Sequence, residues 1–177
     1  MAASFWANAV LFLILAVAAA WWDIRQRRIP NPLSGGGLLV ALAAAALGGG
    51  WHALRGALEG AALFGGPLLL FWTQGWCGAG DAKLGFALGA FLGAPLSLAG
   101  LLFGTLLGGT FAALQVACSL LRRAPELLGA MRRYGVRAPL AVAIDPAWSV
   151  LLPYGAFLAG GALVARATEL LSMGVLR

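Results

Sequence analysis

Six long apolar runs, roughly Phe5–Trp22, Leu33–Trp51, Ala57–Trp76, Ala82–Ala94, Leu96–Leu121 and Trp148–Leu171, fill most of a 177-residue chain. A spanning helix needs about 20 such residues, and in lipid every backbone N–H and C=O has to be satisfied within the segment. The runs therefore predict an all-α fold, a polytopic membrane bundle of six transmembrane helices with short loops at about 23–32, 77–81 and 122–147 on one side. Composition agrees: 62% hydrophobic and 10% charged residues exclude a soluble domain of this length and leave no room for a large one beside the bundle. The fourth run is short for a span, and its boundary with the fifth is set at Gly93-Ala94-Pro95, where tilt or local thinning would accommodate it. No basic residue precedes the first run, so it reads as a permanent span rather than a cleaved signal peptide.

The net charge of +6 does not point to nucleic acid, because the basic residues sit in short clusters between apolar runs with no aromatic-interleaved recognition motif. They report topology instead. Arg25, Arg27, Arg28, Lys83, Arg122, Arg123, Arg132, Arg133 and Arg137 fall on one side, and Arg55, Arg166 and Arg177 on the other. That bias places the first side in the cytoplasm and both termini outside. Tryptophans at the run ends (Trp6, Trp21, Trp22, Trp51, Trp76, Trp148) suit interfacial anchors. Between Pro125 and Tyr134, apolar Leu127, Leu128, Met131 and Tyr134 share one helical side, with Arg132 and Arg133 nearer the other, which predicts a segment lying on membrane lipid. Cys77 and Cys118 stand far apart without metal-ligand spacing, so neither a metal site nor a disulfide framework is expected.

Glycines recur at Gly85, Gly89 and Gly93 and at Gly100, Gly104 and Gly108, giving flat stripes on which a neighbouring backbone can pack. Asp81 stands four residues before Gly85 and would head that stripe, pointing into the bundle. Asp23, in WWDIRQRRIPN, falls on the same membrane side. A single carboxylate at a helix end can be solvated, cap an N-terminus, or pair with a neighbour such as Arg27. Two on one face, each beside Pro or Gly punctuation, are candidate chemistry, because ionised carboxylates are costly near a bilayer. The remaining acids have plainer roles. Arg55 with Glu59 and Arg166 with Glu169 have helix-neighbour spacing, Glu126 suits a first helical turn, and Asp145 before Pro146 suits a turn or cap.

Two carboxylates brought together cannot both ionise cheaply, so one keeps a proton and the pair offers an acid and a base. A charged carboxylate can then take a proton from water while its partner donates to a peptide carbonyl, without serine, cysteine or histidine. The only histidine, His52, is predicted on the opposite side.

GAGDAKL, from Gly78 to Leu84, resembles the GxGDxKL motif of the prepilin peptidases, which are GxGD intramembrane aspartic proteases. Asp23 followed by Ile29-Pro30-Asn31 resembles their first-aspartate motif, and Leu152-Pro153-Tyr154-Gly155 resembles their third, Pro-Tyr-Gly motif. The resemblance covers nearly the whole chain as one peptidase domain, residues 1–177, in the bacterial cytoplasmic membrane. It implies removal of leader peptides from type IV prepilins or pseudopilins at the cytoplasmic face, with Asp23 and Asp81 as catalytic pair and no cofactor. Pro30, Asn31, Gly78, Gly80, Lys83, Pro153, Tyr154 and Gly155 would support them, Gly78 and Gly80 by shaping the approach to Asp81 and Lys83 by tuning local charge. Ala156 departs from the many relatives with a second proline there. The longer relatives that also methylate pilin carry a loop of paired CxxC zinc ligands, so this chain is similar to the short, tight-adherence (Flp-type) peptidases. Archaeal preflagellin peptidases share the aspartate motifs. A non-enzymatic transporter or scaffold of a pilus or secretion system is the competing class.

Overall fold

The computed structural model describes residues 2–134 and 153–173, and the side chains of these residues other than 2–4, 119, 120, 123 and 126–134. All regular structure among them is helical: α1 (Ala2–Gln26), α2 (Asn31–Thr73), α3 (Ala79–Tyr134) and α4 (Tyr154–Ser172). Three stretches among the described residues, Phe5–Gln26, Asn31–Thr73 and Ala79–Cys118, are long and apolar enough to cross a membrane.

The expectation of six separate helices is corrected to four among the described residues, because two of the expected loops are single glycines. Gly50 (φ 62°, ψ −149°) is the non-helical residue inside α2, and Gly93 (φ 73°, ψ 173°) is the one inside α3. An L side chain resists that left-handed φ, and one such residue redirects the helix axis without a loop. The His52–Gly56 stretch is accordingly resumed helix, and Gly93 both breaks α3 and, with Gly89, packs its backbone closely against Gly60.

The chain packs as two units, Met1–Gly108 with Pro153–Arg177, and Gly109–Leu152. In the first unit each broken helix doubles back. Asn31, opening α2, reaches Lys83 near the start of α3, while Gly65 in the second arm of α2 lies against Phe86, a turn further along α3. The second arm of α3 then runs beside α4, with Gly100 against Ala162, Gly104 against Leu158 and Gly108 against Tyr154. Close approach depends on missing side chains. A Cβ on Gly60 would strike the Gly89 carbonyl, one on Gly89 would strike that of Gly60, and one on Gly161 would strike the Gly104 backbone. Phe12, Leu15, Phe64, Leu68, Leu84, Leu88 and Leu158 fill the space between the arms.

The second unit contains the distal part of α3. The side chains behind the amphipathic reading of residues 126–134 are not among those described, and Arg137, Asp145, Trp148 and Leu152 lie outside the described residues.

Candidate functional site

One end of the first unit gathers the C-terminus of α1, the start of α2, the α2–α3 turn and the N-terminus of α4. Asp23 stands in the last turn of α1 rather than in a loop. The helix ends just beyond it, where Arg27 takes a left-handed φ of 50° and its N–H meets the Asp23 carbonyl at 2.8 Å. Ile29 and Pro30 then carry the chain into α2, with Pro30 as its N-cap.

The α2–α3 turn is a Schellman ending followed by a new N-terminus. Trp76 N–H bonds the Phe71 carbonyl (2.9 Å), Gly75 N–H bonds that of Trp72 (2.9 Å), and the Phe71 and Trp76 rings meet at 5.6 Å. Two residues later Gly78 precedes α3, and its N–H donates to Asp81 Oδ2 at 3.1 Å. Asp81 thus reaches back from the first turn of α3, as the acid of a capping box does. That bond holds one oxygen and turns the other inward. Cys77 Sγ–H donates to the Leu68 carbonyl (3.3 Å), and burial, then the Asp81 charge, pushes this loop thiol up from its ordinary range.

The two aspartates meet at Gly155. A Cβ placed there would lie 3.1 Å from Asp81 Oδ1 and 3.2 Å from Asp23 Oδ2, so the carboxylates face each other across no more than twice that distance. Asp23 is only 6% exposed and is held at the N-terminal end of α4, where Ala156 N–H, shared with the Pro153 carbonyl at 3.1 Å, donates to its Oδ2 at 2.9 Å. A proline at 156 could not supply that donor. Among the described residues neither aspartate is in an ion pair.

The other sequence-predicted residues divide between backbone shaping and ties. Gly80 lies beside Ile29, whose Cβ would be in ordinary van der Waals contact, 3.4 Å, with a Cβ at position 80. Lys83 Nζ donates to Asn31 Oδ1 at 2.9 Å, tying the first motif to the second at the exposed rim. Pro153 is the N-cap of α4, Tyr154 is half-buried at its first turn, and Gly155 is buried between the carboxylates. Two contributors were missed. The Ala156 amide is a backbone group without a side-chain signature, though a Pro-Tyr-Gly helix start announces free N–H donors. Ile29 was read only as part of a motif, because an apolar side chain carries no sign of chemistry. No group of three His, Cys, Asp or Glu side chains among the described residues could hold a metal ion.

Fold and site define a class first: a helical membrane protein with two carboxylates brought together by the ends of three different helices. The sequence pattern of the type IV leader peptidase family matches residues 10–113, more than half of the chain, and the chain belongs to that family. The matched stretch includes Asp23 and Asp81, whereas the Pro153–Gly155 segment lies beyond it. Comparison with curated proteins and with solved structures gave no match. The family assignment makes the chain a peptidase whose substrates are, in general terms, of the prepilin type.

Proposed function

We propose that this peptidase is an aspartic endopeptidase with Asp23 and Asp81 as its dyad, cutting the leader from type IV prepilins or pseudopilins at the cytoplasmic face of the bacterial inner membrane. The observation that carries the reading is the convergence of Asp81 Oδ1 and Asp23 Oδ2 on Gly155. Each carboxylate is oriented through its Oδ2 by a backbone N–H, from Ala156 for Asp23 and from Gly78 for Asp81. Among the described residues neither is in an ion pair, which leaves both available for proton transfer.

In the proposed reaction one carboxylate is charged and its partner holds a proton. The charged member takes a proton from water as the water oxygen bonds the scissile carbonyl carbon, and the protonated member donates to the carbonyl oxygen. The resulting gem-diol collapses. Its C–N bond breaks as the carboxyl that took the proton from water gives it to the departing amine and the other carboxylate takes back a proton from a gem-diol hydroxyl. The second product is the leader's new carboxyl terminus. Water supplies every added atom, and no bond forms to the enzyme.

The cytoplasmic assignment is supported by Arg25, Arg27, Arg28 and Lys83 flanking the aspartates, whereas Arg55 and Arg166 belong to the opposite end. Purified protein incubated with a synthetic prepilin peptide should release the leader, read by mass spectrometry, and should do so without S-adenosylmethionine or zinc. An uncut peptide with folded enzyme would return the chain to a scaffold or transporter role. Asp145→Asn is the control expected to retain most cleavage.

A further inference from the structure

The Ile29 side chain is an apolar group on which all three motif segments meet. It stands two residues past the left-handed Arg27 and directly before Pro30, so its backbone is restricted to extended geometry, and its branched Cβ limits it to few rotamers. The buried side chain lies against α3 on one side, with its Cβ 3.4 Å from where a Gly80 Cβ would be. Its other end lies against α4, with Cδ1 2.6 Å from where a Gly155 Cβ would be. Both carboxylate oxygens surround that same point.

Each aspartate is bonded to a backbone N–H of its own, and among the described residues no hydrogen bond joins the two to each other. Their carriers end at this spot, α1 before it and α3 and α4 starting from it, so the gap depends on what is packed between the helix ends. We propose that Ile29 is a positioning residue, whose stiff side chain between Gly80 and Gly155 sets the spacing of the Asp23 and Asp81 carboxylates. It reaches the substrate through neither donor nor acceptor and acts only through the acids. Gly155 is the complementary half of the device, because its missing side chain leaves room both for Cδ1 and for the approach of the acids.

The inference rests on the proposed dyad, and the full-length chain in detergent with a synthetic prepilin peptide separates the two. Ile29→Val removes Cδ1 alone; it should lower kcat roughly tenfold with KM changed less than about twofold and thermal melting essentially unaltered, because a small misplacement at reacting groups costs rate rather than binding. Gly155→Ala places a methyl beside both carboxylates and against Cδ1, and should lower kcat roughly a hundredfold. Because Ile29→Val vacates the space that methyl enters, the double variant should turn over faster than Gly155→Ala alone. A packing-only role predicts a lower melting temperature at wild-type kcat. A wild-type kcat in Ile29→Val, or a double variant as slow as the product of the singles, overturns the role of Ile29 while leaving the dyad standing. If Gly155→Ala does not fold, the kcat of Ile29→Val decides alone. Absence of cleavage by the wild-type chain overturns the dyad and this inference with it.

Discussion

The two ends of the first unit handle charge in opposite ways. At the end away from the aspartates, Arg166 is 8% exposed, bonded through Nη1 to Glu169 (2.8 Å) and through Nη2 to Asn8 of α1 (3.0 Å), with its guanidinium 5.0 Å from the Phe5 ring centre. Opposite charges cancel there and pin α1 to α4. At the other end two acids are brought together and held by backbone N–H groups, and among the described residues neither is in an ion pair. A buried charge with its counter-charge is what a stable fold tolerates, whereas a converging pair of acids works against stability and marks function. Spacing alone predicted the Arg166–Glu169 pair, but its burial and the added Asn8 contact emerge only from the packing.

The sharpest break of this contrast is at the acids. Asp23→Asn and Asp81→Asn should each lower leader cleavage by at least roughly a thousandfold, with the double variant no worse, because the dyad acts as a unit. Folding should survive, since an amide oxygen can still accept from Ala156 or Gly78 N–H. Single-turnover cleavage by mass spectrometry, beside a thermal melt, checks both halves, and substantial cleavage by either variant would reassign the pair.

At the opposite end, Arg166→Met should cost about 1–2 kcal/mol of stability, because it leaves Glu169, which is only partly buried, without its partner. Cleavage per folded molecule should stay near wild type, and adding Glu169→Gln should recover part of the loss. Denaturation in detergent reads this, and a turnover defect without destabilisation would show that the two ends are coupled. Ala156→Pro tests the backbone donor. Loss of one hydrogen bond to a carboxylate, about 1.5–3 kcal/mol, should slow turnover roughly tenfold to a hundredfold, while proline remains tolerable in a first helical turn.

Smaller effects belong to the rim. Lys83→Met should lower activity only a few-fold, about 0.5–1 kcal/mol for an exposed bond, and should add nothing once Asn31→Ala has removed its acceptor. Additive losses would dissociate Lys83 from Asn31. Last, the raised Cys77 thiol has little thiolate at neutral pH, so its alkylation should accelerate only as pH rises beyond the range of an ordinary cysteine. Asp81→Asn, which removes a nearby negative charge, should speed Cys77 labelling at fixed pH. Peptide mapping after timed maleimide exposure would detect an unchanged rate, which would mean that Asp81 carries no charge felt at Cys77.

Much of this protein was determined by local rules. Apolar run length dictated helices, because unpaired backbone in lipid allows little else, and the GAGDAKL and Pro-Tyr-Gly segments dictated helix starts beside candidate acids. The turn at Gly93 was legible in the Gly93-Ala94-Pro95 boundary between two apolar runs. What the sequence did not show is that one left-handed glycine, there and at Gly50, redirects a helix without a loop, because whether a glycine is helical, packed against a backbone, or left-handed depends on the neighbours it meets. Tertiary structure likewise decided the site. Asp23, Asp81, Ile29 and Ala156 are separated by up to 133 residues, and only the doubling back of α2 and α3 brings three helix ends to one place. Backbone donors and a methyl that holds two acids at a distance have no letter of their own in a sequence, since their effect lies in geometry rather than in residue type.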